Sequence, residues 1–244
     1  MKKAKKTAIV LCSGGLDSVT TAHYVKKKLS KKYSDIITLF FDYKQRSLDN
    51  EKICASLCAE EIDAKFIEIP LHHLTRKSRP LTDKSAKAKE VSLADLKNTK
   101  KESEKWYLPH RNEFFIKHAF VISDYLHEKK GRKSDIFLGF KSEGKESYPD
   151  TTPEFVEKMN YLAKTTKSKP KVIAPLIKKD KEDIISLARE LGINFNKTFS
   201  CYAPKEKLHC GYCLSCRLRQ EGFYWANIID PTLYYKKMQD FRSA

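Results

Sequence analysis

Several features that are common in membrane and nucleotide-binding proteins are missing from this sequence of 244 residues. No apolar run approaches the roughly 20 residues that a membrane-spanning helix needs, so we expect no membrane partner. Glycine is scarce, with 8 residues, and neither G-x-x-x-x-G-K-S/T nor G-x-G-x-x-G occurs. A Walker A loop and a Rossmann dinucleotide fingerprint are therefore excluded.

The cysteine count and the amino-terminal residues exclude further classes. Seven cysteines cannot all pair, which argues against a secreted disulfide framework and for metal or thiol chemistry. The lysines within residues 2–6 resemble the charged start of a signal peptide. However, the apolar stretch 8–12 is shorter than the about 7–15 residues of a signal core. We therefore expect a cytoplasmic protein.

Arginine is also scarce, since it supplies only 9 of the 48 cationic residues of a chain whose formal net charge is +17. The other 39 cationic residues are lysines, spread along the whole chain. Specific nucleic-acid recognition favours arginine, whereas dispersed lysine is typical of a solvated surface. We therefore interpret most of the net positive charge as lysines on a solvated surface. An acidic protein or nucleic-acid partner is the alternative.

The hydrophobic pattern alternates between short β-type runs and longer segments of helical spacing. Strands are predicted at residues 7–12, 36–41, 65–69, 135–140 and 172–175, and helices at 18–29, 49–60, 112–128, 153–165 and 181–191. This alternation predicts an α/β fold with a Rossmann-like parallel sheet and flanking helices.

Composition divides the chain into two regions. Residues 1–195 carry the strand and helix pattern and are expected to form a nucleotide-binding domain. Residues 196–244 contain four of the seven cysteines and then an aromatic tail, and are expected to form a small helical metal-binding segment. Within the first region, residues 72–105 are dense in Lys, Ser and Thr and lack periodicity, so we expect a mobile surface loop there.

The string SGGLDS at residues 13–18 lies between the first predicted strand and the first predicted helix. Its two glycines, Gly14 and Gly15, permit a tight turn whose backbone N–H groups can cradle an anion at the helix start. Asp17 suits a Mg²⁺ ion that accompanies phosphates. An ordinary strand-to-helix turn is the alternative. In this position the string resembles the pyrophosphate loop (PP-loop) of the ATP pyrophosphatases, the group that includes GMP and NAD synthetases.

Four cysteines follow the spacing C-x8-C-x2-C-x2-C, namely Cys201, Cys210, Cys213 and Cys216. Four thiolates at this density predict a closed tetrahedral zinc site, whose role would be structural because no coordination position stays open. An iron–sulfur cluster and a set of buried or redox thiols are the alternatives. Cys12, Cys54 and Cys58 lack this spacing and are expected to pack in the core.

Further strings occur in order along the chain: FDYKQR at 41–46, YLPHRN at 107–112, YPD at 148–150, SCY at 200–202 and CGYCLSCRLR at 210–219. Together with the pyrophosphate loop they resemble the 7-cyano-7-deazaguanine synthase (QueC) family of queuosine precursor biosynthesis, over residues 8–223. The resemblance implies an ATP-dependent ligase that adenylates the carboxylate of 7-carboxy-7-deazaguanine. With ammonia, the enzyme would convert that acid through the amide to the nitrile. ATP, Mg²⁺ and Zn²⁺ would be the cofactors, and a homodimer would be the assembly.

The resemblance also implies roles for individual residues. Pyrophosphate and Mg²⁺ would be bound by Ser13, Gly14, Gly15, Leu16, Asp17 and Ser18. The nucleotide would also contact Asp42, Gln45, Arg111 and Asn112, and the deazaguanine would contact Gln45, Tyr148 and Asp150. Catalysis would involve Asp17, Ser18, Arg111 and Lys178. The plainer alternatives are a surface salt bridge for Arg111, solvated surface for Lys178, a helix cap for Asp150 and core packing for Tyr148.

The sequence departs from the family pattern where the substrate would bind. Lys44 and Ser47 stand where the family usually has Gly and His. Gly144 and Thr152 replace a usual Asp and Arg, and the loss of an acidic group should weaken recognition of guanine-like N–H donors unless Glu143 or Glu146 replaces it.

Three other functions are open on this sequence. One is a QueC-like antiphage-defence enzyme that joins the activated deazaguanine to an amine of a protein or nucleic acid, which would suit the charge of +17. Another is a tRNA-thiolating PP-loop enzyme, although the YPD string and the single four-cysteine cluster favour QueC. The last is a non-enzymatic nucleic-acid-binding zinc protein, for which the pyrophosphate loop would have no purpose.

Overall fold

The computed structural model describes residues 6–74, 80–96, 98–141 and 148–236. Five strands form one sheet in the order β3-β2-β1-β4-β5, and every neighbouring pair is parallel. The strands are β1 (Lys6–Leu11), β2 (Tyr33–Asp42), β3 (Lys65–Pro70), β4 (Ser134–Phe137) and β5 (Val172–Ile173). The central strand β1 is apolar because helices cover both of its faces, and Ala8, Ile9 and Val10 are fully buried.

Eight α-helices occur in the described ranges. They are α1 (Leu16–Lys28), α2 (Leu48–Glu61), α3 (Leu93–Leu96), α4 (Lys100–Trp106), α5 (Arg111–Lys130), α6 (Pro153–Ala163), α7 (Lys181–Glu190) and α8 (Leu214–Trp225). None of them is both long and apolar enough to cross a bilayer.

The two faces of the sheet carry separate hydrophobic cores, because successive side chains of a strand point to opposite sides. Ala8 and Val10 of β1 pack in the core that contains α1, α2, α7 and Phe223 of α8. Ile9 of β1 packs in the other core, with α5 and α6. The cysteine-rich region, which comprises residues 196–236, is therefore anchored to the sheet domain through the first core.

These elements confirm the predicted parallel sheet with flanking helices. The structure differs from the sequence pattern in residues 72–105, where we expected a loop. The described part of that segment contains α3 and the first residues of α4, and Leu81 and Val91 are only 3% and 1% exposed. The amide of Val91 donates a hydrogen bond to the carbonyl of Tyr212 (2.9 Å). Contact with a distant segment therefore orders residues whose local pattern indicates no structure.

Candidate active site

A cavity of about 260 Å³ opens at the carboxyl ends of the central strands. Ligands of open parallel sheets bind at this edge, where the loops after the strands converge. Its lining includes residues of the pyrophosphate loop, of β2, of the starts of α5 and α7, and of the cysteine-rich region. Among them are Ser13, Gly15, Leu16, Asp17, Ser18, Tyr43, Gln45, Glu51, Arg111, Asn112, Gly139, Lys141, Tyr148, Lys181, Ser200, Tyr202 and Ser215.

The pyrophosphate loop turns at Gly14, whose φ of +77° lies in the left-handed region that favours glycine. A Cβ on Gly14 would lie 2.3 Å from the carbonyl oxygen of Glu51 and 2.9 Å from the amide nitrogen of Ala55. The loop thus packs directly on the backbone of α2. Only glycine is compatible with this arrangement.

Serine hydroxyls hold the rest of the loop in shape. The Ser18 hydroxyl donates to the carbonyl of Gly15 (3.0 Å) and accepts from the amide of Ser13 (3.2 Å). Gly139, just after β4, approaches the start of α1 so closely that its Cβ would lie 2.8 Å from the Ser18 nitrogen. Leu16, Asp17 and Ser18 at the start of α1 line the cavity, and the amides of a first helical turn can bind an anion.

Lys181, a lysine to which the sequence pattern assigned no role, lines this part of the cavity. Lys181 Nζ lies 2.7 and 2.8 Å from the two carboxylate oxygens of Asp17. Lys178 is exposed and does not belong to the lining of the cavity. Lys181 begins α7, so the helix places it over the loop, while Lys178 precedes the helix on the surface. Lys181 therefore replaces Lys178 as the candidate phosphate ligand.

Arg111 occupies the other end of the cavity, at the start of α5. The preceding His110 is left-handed (φ 64°), which directs the chain into the helix. The guanidinium carbon lies 5.9 Å from the ring centroids of both Tyr43 and Phe115, within cation–π range. Burial raises the pKa of Tyr43 to about 12, so its hydroxyl stays protonated beside the arginine.

Two carboxyl groups lie near Arg111, that of the partly buried Glu51 and that of the buried Asp150. Glu51 lines the cavity and accepts hydrogen bonds from Ser47 (2.6 Å) and Gln45 (3.0 Å). Asp150 is 6% exposed, and its Oδ2 has no hydrogen-bond partner among the described residues. Burial raises the pKa of both groups, against the opposing positive charge of Arg111. A ligand with N–H donors would relieve the cost of burying them.

Two further residues that the sequence suggested, Gln45 and Asp42, differ in their relation to the cavity. Gln45 lines the cavity, but its amide nitrogen donates to the Phe41 carbonyl (3.1 Å) and to Glu51, so it also positions that carboxylate. Asp42 does not line the cavity, and it accepts hydrogen bonds from the Lys44 amide (2.9 Å) and lies 3.0 Å from His72 Nε2. Asp42 therefore shapes the turn after β2.

Sequence reasoning missed several lining residues, and the signals differ. Glu51 and Lys181 lie in predicted helices whose patterns mark neither residue as functional. Ser200, Tyr202 and Ser215 lie inside the strings that carry the family resemblance, although no role was attached to them. The candidate replacements Glu143 and Glu146, and Gly144, lie outside the described residues.

The four predicted cysteine ligands converge on one point. Their sulfur atoms all lie within 4.8 Å of one another, and the Cys201–Cys213 and Cys210–Cys216 pairs are each 3.9 Å apart. Sulfurs bound tetrahedrally at about 2.3 Å from one ion would be about 3.8 Å apart. The amide of Cys210 donates to Cys201 Sγ (3.2 Å), as is usual for a thiolate that binds a metal. The donor set therefore fits a single tetrahedral ion.

The cysteine cluster adjoins the cavity. Ser200 and Ser215 are neighbours in sequence of Cys201 and Cys216, and both line the cavity. The hydroxyl of Ser215 donates to the carbonyl of Ser200 (2.5 Å), and the amide of Phe199 donates to the carbonyl of Gly14 (2.9 Å). The cluster thus supports one wall of the cavity and, through Phe199, the pyrophosphate loop.

A parallel sheet whose first strand runs into an SGGLDS loop at a cavity defines an α/β protein of the PP-loop class. The chain belongs to the QueC family, since the family model described as "Queuosine biosynthesis protein QueC" matches residues 7–227. This match confirms the family resemblance that the sequence strings carry.

Curated relatives match over almost their whole length. The 7-cyano-7-deazaguanine synthase of Methanoculleus marisnigri is 33% identical over 234 residues, which cover 94% of this chain and 99% of the relative. The enzyme of the same name from Methanothrix thermoacetophila is 35% identical over 234 residues, 93% of this chain and 98% of the relative. Among solved structures, the U34-tRNA thiolase NcsA from Methanococcus maripaludis aligns with 93% of this chain and 67% of its own, at 16% identity and a TM-score of 0.45.

Proposed function

We propose that this protein is an ATP-dependent carbon–nitrogen ligase that converts 7-carboxy-7-deazaguanine and ammonia to 7-cyano-7-deazaguanine. The observation that supports this most is the match to enzymes of that name over 93–94% of the chain, together with a pyrophosphate loop that lines the cavity. Neither observation favours thiolation or a non-enzymatic role.

The proposed reaction uses ATP twice. The substrate carboxylate attacks the α-phosphate and releases pyrophosphate, and ammonia then displaces AMP to give the amide. A second ATP activates the amide oxygen in the same way, and loss of AMP and a proton leaves the nitrile. A carboxylate or amide oxygen is a poor leaving group on its own, and its adenylation makes AMP the leaving group instead. The site must neutralise phosphate charge and exclude water from the adenylate.

Residues at the two ends of the cavity fit these tasks. The amides at the start of α1, with Ser13 and Ser18, would bind the pyrophosphate end of ATP. Asp17 supplies carboxylate oxygens that would hold Mg²⁺, and Lys181 beside it would neutralise the departing phosphates. Bound Mg²⁺ would act as a Lewis acid on the phosphate oxygens. Arg111 would bind a negatively charged group of the nucleotide or the substrate.

The deazaguanine base would bind between Arg111 and the aromatic residues of the cavity. Tyr148 lines the cavity and packs on Tyr107, with ring centroids 6.2 Å apart, so it offers a face for the base. The carboxyl groups of Glu51 and Asp150 would accept hydrogen bonds from its N–H donors. Thr152, which stands where the family usually has Arg, accepts a hydrogen bond from the Phe155 amide and caps α6.

We propose zinc as the ion of the cysteine cluster, because four thiolates at these distances fit one tetrahedral ion. We also propose a homodimer in the cytoplasm. The carboxyl region exposes Trp225, Ile229 and Leu233, which are 63%, 91% and 73% exposed, and a second subunit would cover these side chains. Light scattering of the purified protein tests the assembly, and elemental analysis tests the metal.

The function is tested by incubating the purified protein with ATP, Mg²⁺, ammonium and 7-carboxy-7-deazaguanine, with mass spectrometry of the products. We expect the amide first and then the nitrile, with AMP and pyrophosphate. Absence of both products would contradict the proposal. Ammonia-independent attachment of the deazaguanine to an added protein or nucleic acid would support the defence-type alternative instead.

Replacement of Lys181 by Met is expected to lower kcat/KM for ATP on the order of 100-fold, because an aligned cation is removed from the developing phosphate charge. The matched control is Lys178→Met, three residues away and exposed, which should leave kcat/KM unchanged. Steady-state pyrophosphate release measures both. If Lys178→Met gave the larger loss, the assignment of the phosphate-binding lysine to Lys181 would be wrong.

A further inference from the structure

Helix α8 carries two arginines that are both 1% exposed, Arg217 and Arg219, and they hold different parts of the protein. Arg217 donates to the carbonyl of Val91 (3.0 Å) and to Gln220 (3.3 Å). It therefore fastens the segment before α3 to the cysteine-rich region. None of these partners lines the cavity.

Arg219 instead holds the segment that connects α7 with the first cysteine ligand. Its Nη1 donates to the hydroxyls of Thr198 (2.9 Å) and Ser200 (3.2 Å), and its Nη2 donates to the carbonyl of Phe195 (3.1 Å). On the other side, its Nε donates to Thr232 (2.9 Å). The planar guanidinium thus clamps residues 195–200 to the chain that follows α8.

The charge of Arg219 is neutralised within the protein. Asp230 Oδ1 lies 3.7 Å from its Nε, and the ring of Phe223 lies 5.2 Å from its guanidinium carbon. A buried cation is costly unless it is paired and hydrogen-bonded, and Arg219 has an acidic neighbour and four hydrogen bonds. Arg219 does not line the cavity, so it touches neither nucleotide nor substrate directly.

The segment 195–200 contacts the pyrophosphate loop directly. Phe199 and Ser200 line the cavity, and the Phe199 amide donates to the Gly14 carbonyl (2.9 Å). This hydrogen bond fixes the carbonyl of the tightest turn in the loop. A shift of residues 198–200 would therefore move the loop that is expected to bind the phosphates.

We infer that Arg219 is a positioning residue for ATP: it clamps residues 195–200 so that Phe199 and Ser200 hold the pyrophosphate loop in its phosphate-binding shape. The inference rests on the proposed adenylation function. If Arg219 acts in this way, α8 contributes to nucleotide binding as well as to metal binding. A lysine at position 219 keeps the charge but cannot reproduce four directed hydrogen bonds from one planar group.

The test compares Arg219→Lys with Arg217→Lys, two equally buried arginines of one helix that receive the same change. We expect Arg219→Lys to raise KM for ATP and lower kcat, with kcat/KM for ATP reduced on the order of 100-fold. KM for the deazaguanine should stay unchanged, because the base would bind at the opposite end of the cavity. Arg217→Lys should leave both KM values and kcat within about threefold.

Thermal unfolding and metal content are measured for both variants, because either change could simply destabilise the fold. Loss of folded protein alone lowers the apparent kcat and leaves KM for ATP unaltered. The inference is therefore overturned if KM for ATP is unaltered in Arg219→Lys, or if Arg217→Lys raises it equally.

A second variant keeps the test informative if Arg219→Lys fails to fold. Thr198→Val preserves the shape of the side chain and removes one acceptor of Arg219, so we expect about a tenfold loss in kcat/KM for ATP. Equal kinetics of Thr198→Val and wild type would contradict the inference. A failure of the proposed function is distinguishable from a failure of this inference, because the wild-type protein itself would then neither bind ATP nor form product.

Discussion

Replacing Gly14 with Ala is expected to abolish pyrophosphate release and to lower the free energy of unfolding by about 3 kcal/mol. Two effects add. The φ of +77° is unfavourable for alanine by about 1 kcal/mol. The new Cβ would also lie 2.3 Å from the Glu51 carbonyl oxygen, so the loop or α2 must move. Urea unfolding measures the stability, and a pyrophosphate-release assay measures the activity.

The matched control for Gly14→Ala is Gly131→Ala at the end of α5. Gly131 also has a positive φ (+59°), but its Cβ would meet nothing within 4 Å among the described residues. We therefore expect only the conformational cost, about 1 kcal/mol, and full activity. If the two variants were equally stable and equally active, the close packing of the pyrophosphate loop on α2 would be disproved.

Substitution of Cys213 by Ser is expected to remove the bound metal and, with it, the activity. Structural zinc sites contribute about 10–16 kcal/mol of apparent binding free energy at neutral pH, which is comparable with the whole stability of a domain. We expect the cysteine-rich region to lose its cooperative unfolding transition and the cavity wall at Ser200 and Ser215 to be lost with it. Metal content, calorimetry and pyrophosphate release measure the three effects.

Cys54→Ser is the control for the cysteine substitution. Cys54 is buried and contacts the same hydrophobic cluster, but it does not belong to the four converging sulfurs. Burial raises its pKa to about 11, so it remains a neutral thiol in the core. Its replacement should cost about 1–2 kcal/mol and leave one metal ion per chain. Retention of the metal by Cys213→Ser would contradict the assignment of the ligands, and iron in the wild-type protein would contradict zinc.

The two substitutions act on connected parts of one site. The Phe199 amide hydrogen-bonds to the Gly14 carbonyl, and Ser200 precedes the ligand Cys201 directly. A change in the metal cluster should therefore reach the pyrophosphate loop without any direct contact between metal and nucleotide. This connection gives the four-cysteine cluster a structural role beside the cavity.

The features that short sequence patterns predicted are those whose chemistry is local. The pyrophosphate loop is specified by glycines at a strand-to-helix turn, and the metal cluster by tightly spaced cysteines. In both cases the residues that form the feature lie close together in the sequence. The parallel direction of neighbouring strands follows from the βαβ alternation, because a helix that crosses from one strand to the next makes the two strands run parallel.

The features that required the folded chain are those made by residues far apart. Lys181 and Asp17 are separated by 164 positions, and among 39 lysines nothing local distinguishes Lys181 from Lys178. The surroundings of Glu51 likewise depend on a long-range neighbour, Arg111 of α5. Local pattern therefore sufficed for the sheet, for the loop after β1 and for the four cysteines that converge. The position of Lys181 beside Asp17, the surroundings of Glu51 and Asp150, and the Arg219 clamp depended on long-range packing, because only folding brings distant side chains into contact.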